Sequence, residues 1–172
     1  MDENFEKFFK DPNEEPDIPG TFGTLYLLRR DISSCFSNSI LWPGTMCILA
    51  GFDLLGKFYA GNDDSKKVGE RFKSFLVDVV GCNSDESNIL YSLRNSMLHS
   101  FGLFDNNRRM ILNRDEATFI SERDQSYHIS VLLLKEKFEL GIGNFKRIIR
   151  ANIVAENNFN SMIGKYGILR IG

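Results

Sequence analysis

Histidine occurs twice in this 172-residue chain, and each histidine has an arginine five positions earlier: Arg94-Asn95-Ser96-Met97-Leu98-His99 and Arg123-Asp124-Gln125-Ser126-Tyr127-His128. The two residue types form a chemical pair. Imidazole has its ordinary pKa near neutrality, so it can take up a proton and return it at physiological pH. Guanidinium is a planar cation that stays protonated and matches the oxygens of a phosphate. Together they supply what metal-free cleavage of an RNA phosphodiester needs. One group shuttles a proton between the ribose 2′-OH and the leaving oxygen, and the other holds the charge on the phosphoryl oxygens.

Because the spacing arises twice, it carries little weight without its context. Arg94–His99 lies in SDESNILYSLRNSMLHSFG, which opens on cap residues, Ser84 or Asp85, and closes near Gly102, so it is predicted to be a helix. Arg123–His128 spans a polar turn into a strand-like run and is set aside as a chance repeat. On a helix advancing about 100° per residue, Ile89, Leu90, Leu93, Met97 and Phe101 share one arc and are expected in the core. Arg94 falls at the margin of that arc, where it must be paired or solvated, and Asp53 and Glu70 are the candidate partners. His99 shares a face with Asn95 and points away from the core. Tyr91 and Leu98 flank that face and could meet a second copy of the chain. A purely structural role remains open, with Arg94 in an ion pair and His99 at the helix C-terminus, where a cation is favoured.

The elements that must position these residues are mostly helical. Phe5, Phe8 and Phe9 have the spacing of a short amphipathic arm that packs on its own domain, and DPNEEPDIPG (11–20) reads as a linker. Helical spacing runs from Thr21 through Leu25, Leu28, Ile32, Cys35 and Phe36. A nearly all-apolar helix follows from Pro43 to Gly61, in which Ala50, Gly51 and Gly56 let a neighbour approach and Asp53 is the one acidic exception. Asp63, Asp64 and Ser65 are cap candidates for the next helix, which stops at Gly81; its Lys66, Lys67, Arg71 and Lys73 are expected on a solvated face. After the motif helix, 110–114, 117–121 and 127–134 read as a β-hairpin or small sheet, and helical spacing returns towards the C-terminus. The domain plan is an arm and linker at 1–20, then one helical domain over 21–172 with a β insertion near 108–134.

Composition sets the outer bounds. Apolar residues at 42% and charged residues at 26% fit one globular domain, and fifteen phenylalanines give it a large core. Cys35, Cys47 and Cys82 form no CxxC pair, so neither a disulfide framework nor a zinc site is expected, and a cytoplasmic location is favoured. No apolar run is long enough for a membrane span, and no membrane partner is expected. Residues 1–17 carry seven acids against two lysines, a balance of −5 within a net −2, which leaves residues 18–172 at +3. A mildly basic body fits a weak RNA partner. There is no GxxxxGK(S/T) loop, no GxSxG elbow and no HExxH helix, and no cofactor or metal is expected.

Residues 21–104, a buried aliphatic helix, a basic amphipathic helix and then LYSLRNSMLHSFGLF, resemble the HEPN superfamily. Its members carry an arginine, a polar residue directly after it and a histidine a few residues on, late in a four- or five-helix bundle. The resemblance implies a mainly α, HEPN-like bundle with a small β element after the motif helix. It implies a metal-independent endoribonuclease with Arg94 and His99 as catalytic residues and Asn95 orienting them. It further implies a homodimer that brings two such pairs into one cleft, with RNA as substrate and room for a cognate inhibitor or antitoxin protein. The alternative is a non-catalytic HEPN-like module that binds a partner or a nucleotide.

Overall fold

The computed structural model describes residues 3–15, 19–105 and 108–170. It is mainly helical, as expected: α1 (Glu3–Phe8), α2 (Thr24–Ser37), α3 (Leu41–Ala60), α4 (Val68–Phe75), α5 (Ser84–Ser100), α6 (Val131–Ala151) and α7 (Ile153–Met162). Among the described residues six strands accompany them: β1 (Thr21–Gly23), β2 (Phe104–Asp105), β3 (Arg108–Asn113), β4 (Ile120–Arg123), β5 (Ser126–Ser130) and β6 (Ile168–Arg170). Among the described residues no helix is long and apolar enough to cross a membrane.

The apolar helix α3 is the hub. Ile48, Leu49, Phe52, Leu55 and Phe58 are fully buried, and α2, α4, α6 and α7 all pack against it. Its glycines mark the close approaches. A Cβ on Gly51 would lie 2.5 Å from the Phe138 ring of α6, and one on Gly56 would lie 3.0 Å from the Arg71 carbonyl oxygen of α4. The arm α1 is part of the core: Phe5, Phe8 and Phe9 are buried, and the Phe8 ring centre lies 4.6 Å from that of Phe58 and 5.5 Å from that of Phe159. Of the 11–20 linker, Pro16–Ile18 lie outside the described residues.

Several local expectations are corrected. The first body helix begins at Thr24, because Thr21–Gly23 is taken into an antiparallel pairing with Ile168–Arg170. The motif helix is capped by Asn83, not by Ser84 or Asp85: the Asn83 side chain accepts from the Glu86 amide and the Glu86 carboxylate accepts from the Asn83 amide, a reciprocal box that satisfies two donors. Arg71 does not lie on a solvated face. It is 3% exposed and donates to Asn62 Oδ1 at 3.2 Å and to the Asp64 carbonyl, closing the turn before α4.

The β insertion is a four-stranded sheet over 104–130 in the order β2-β3-β5-β4, and it does not extend to 134. Val131–Leu134 open α6 instead, since the Ser130 hydroxyl accepts from the Leu133 amide and Val131, Leu134 and Phe138 continue a helical stripe into the core. β3 and β5 run parallel, whereas β2 with β3 and β4 with β5 are antiparallel. The β4–β5 turn is Asp124-Gln125 with φ of 51° and 56°, the two-residue geometry that fits the twist of a hairpin. Met110 and Ile129 on one face are buried in the core; on the other face Arg109 is exposed and Ile111 and His128 are half-buried, while Ser126 and Ser130 are buried.

Candidate functional site

Arg94 lies in the C-terminal half of α5, and its guanidinium is the hub of the site. Nη2 donates to Asp53 Oδ2 on α3 at 2.7 Å. Nη1 donates to Asn95 Oδ1 at 3.0 Å and meets His99 Nε2 at 2.8 Å. Both hydrogens of Nη1 are therefore used. A guanidinium can only donate, so His99 Nε2 accepts with its lone pair and Nδ1 carries the ring proton. The three residues singled out from the sequence form one hydrogen-bonded cluster.

The cluster sits at the boundary between core and surface. The Arg94 and Asp53 side chains are 12% and 15% exposed, whereas His99 is exposed and Asn95 half-buried. The ion pair is single-pronged: Arg94 Nε and Asp53 Oδ1 are both buried without a partner. An unsatisfied buried polar atom costs about 1–3 kcal/mol, so the core holds Arg94 in an orientation that its hydrogen bonds alone would not choose. Of the two partners weighed for Arg94, Asp53 is used and Glu70 is not. His99 lies in the last turn of α5, as expected, and its Nε2 turns back to Arg94.

The helix end departs from the helical arc. Phe101, expected in the core, is 74% exposed, because α5 stops at Ser100 and Phe101 takes the left-handed conformation (φ 48°, ψ 33°) as its C-cap. Tyr91, expected at a surface shared with a second copy, packs on Phe72 at 5.7 Å within its own chain. Leu98 remains half-buried beside His99.

Two features lay beyond sequence reasoning. Ser96 sits inside the motif, and its hydroxyl donates to the Phe104 carbonyl and accepts from the Phe104 amide, both at 3.1 Å, which fastens strand β2 to the motif helix. The repeat set aside as chance is also an assembled pair: Arg123 Nη2 lies 3.2 Å from His128 Nδ1, as does Asn113 Nδ2. The hairpin brings them together by placing Arg123 opposite Ser126, two residues before His128. Among the described residues no group of three or more His, Cys, Asp or Glu side chains is placed to hold a metal ion. A cleft of about 450 Å³ between α1, α2 and α6 is lined largely by charged groups, among which Arg29 is forked onto Glu139 and Lys146 lies 3.9 Å from Glu6.

No protein-family model matches this chain, and no curated protein or solved structure does either.

Proposed function

We propose that this chain is a HEPN-type, metal-independent endoribonuclease that works as a homodimer, with two Arg94–Asn95–His99 clusters facing one RNA strand. The supporting observation is the meeting of an exposed imidazole and a core-anchored guanidinium at 2.8 Å on the motif helix. A phosphate oxygen entering the site would take the Nη1 donors now given to His99 and Asn95. That exchange places the always-charged guanidinium on the phosphoryl group and releases the His99 Nε2 lone pair.

The freed imidazole accepts the 2′-OH proton while O2′ bonds to phosphorus. The P–O5′ bond breaks, and O5′ takes a proton from an imidazolium, which in the dimer is the partner's His99. The products are a 2′,3′-cyclic phosphate and a 5′-hydroxyl. Asp53 touches no substrate in this scheme; it positions Arg94.

The Asp53–Arg94 ion pair also favours a second reading, a non-catalytic interaction or nucleotide-binding module in which the same contacts only join α3 to α5. RNA cleavage with EDTA present separates the two. The parent cleaves, whereas His99→Ala and Arg94→Lys lose about 100-fold or more, in line with the loss of a general acid–base group. His99→Ala is the cleaner variant, because an exposed side chain is replaced and stability stays within about 0.5 kcal/mol. Cleavage that is absent in the parent, or unchanged in His99→Ala, removes the nuclease reading.

A further inference from the structure

We infer that the outer face of the four-stranded sheet is a track that delivers single-stranded RNA to the Arg94–His99 cluster, an inference that rests on the RNA reading of that cluster. The strand registers place Phe104, Arg109, Ser126 and Arg123 in one row across β2, β3, β5 and β4, with Ile111, His128 and Ser121 in the next. At about 4.8 Å per strand the first row spans about 14 Å. The opposite face carries Met110 and Ile129 into the core; in this row Phe104, Arg109 and Arg123 are exposed, and the small Ser126 lies buried between the two arginines.

Its chemistry fits an unpaired nucleic-acid strand. Phe104 is 56% exposed, and Phe101, three residues earlier, is held outward by a left-handed backbone that an aromatic residue adopts only at a cost. Bare rings beside cations are the parts that stack unpaired bases and hold their phosphates. Arg109 is exposed and makes no hydrogen bond or ion pair among the described residues. Arg123 is half-exposed and shares one edge with Glu116. His128 Nδ1 accepts from Asn113 and Arg123, which leaves Nε2 to carry the ring proton as a donor.

The face is also joined to the cluster. Ser96, between Asn95 and His99 on the motif helix, holds Phe104 by two hydrogen bonds, so the row begins within one helical turn of the candidate catalytic residues. A duplex would hide the bases that the rings need. A second copy of this chain would have to bury the exposed Arg109 charge against its own like-charged row.

The test is fluorescence anisotropy with a labelled single-stranded oligouridylate, using the His99→Ala chain so that the probe stays intact. Phe104→Ala should weaken binding by about 5- to 150-fold, the range for loss of one stacked base. Arg109→Ala should weaken binding and lower the slope of log K against log salt by about one. Both variants should melt with the parent, since both side chains are exposed. Equal affinity in all variants, equal competition by duplex RNA, or loss of a dimer in Phe104→Ala with RNA affinity unchanged would each overturn the inference. The two proposals can fail separately. Cleavage by the parent with binding indifferent to Phe104 and Arg109 leaves the nuclease and removes the track; binding that needs both residues, with no cleavage by the parent, does the reverse.

Discussion

Asp53 Oδ2 accepts a hydrogen bond from Arg94 Nη2 at 2.7 Å, linking the one acidic residue of the hub helix to the candidate catalytic arginine of the motif helix. Removing either partner leaves the other charged and largely buried. Asp53→Ala or Arg94→Ala should therefore each destabilise the fold by about 3–5 kcal/mol. The double variant Asp53→Ala/Arg94→Ala should cost less than the two singles combined, because no charge is stranded. Urea denaturation of the four proteins measures the coupling, and additive losses would mean that the pair is not energetically linked.

Phe101 closes α5 in a conformation suited to glycine. A non-glycine residue there is strained by about 1–2 kcal/mol, and the ring, 74% exposed, returns little by burial. Phe101→Gly should raise stability by about 1 kcal/mol, visible as a higher thermal midpoint. If the sheet face carries RNA, the same substitution weakens RNA binding, so stability and binding move in opposite directions.

Gly51 and Gly143 both lie inside helices, yet alanine should act on them with opposite sign. A Cβ at Gly51 would meet the Phe138 ring, which is fully buried and packed at 5.2 Å against Phe52, so the ring has nowhere to swing. Gly51→Ala should cost about 1–3 kcal/mol despite its better helix propensity. Gly143 is exposed, with nothing within 4 Å of the place a methyl group would occupy, and Gly143→Ala should stabilise by about 0.5–1 kcal/mol. Chemical denaturation of the pair checks both signs.

Burial pushes the Cys82 thiol up from 9.0 to about 11. The folded state therefore holds the proton where the unfolded chain releases it. Below about pH 9 both states are protonated and the group has no effect on stability. Between about pH 9 and 11 only the unfolded state ionises, so stability falls, by roughly 2–3 kcal/mol at the upper end. Cys82→Ala should remove that part of the alkaline decline in a denaturation series across pH. The native thiol should also react slowly with iodoacetamide at about pH 8, where the thiolate is scarce.

How far the sequence reaches differs from residue to residue. The helical character, the buried hub helix with its tolerated glycines, the arm anchored by Phe5, Phe8 and Phe9, and the shared face of Asn95 and His99 follow from spacing along one helix, because residues three and four apart are neighbours on it; the reach of the long Arg94 side chain to both is a matter of its rotamer and of Asp53. Spacing within an element is local information. Tertiary structure decided what depends on distant partners. Asp53, 41 residues away, was chosen over Glu70 because α3 crosses α5 at that point; Phe101 turned outward because the helix stopped one residue short of it; and Arg123 reached His128 because a two-residue turn folded one strand onto the next. The Ser96–Phe104 clamp, which joins the motif to the sheet, depends on where β2 docks, and no periodicity in the chain encodes that.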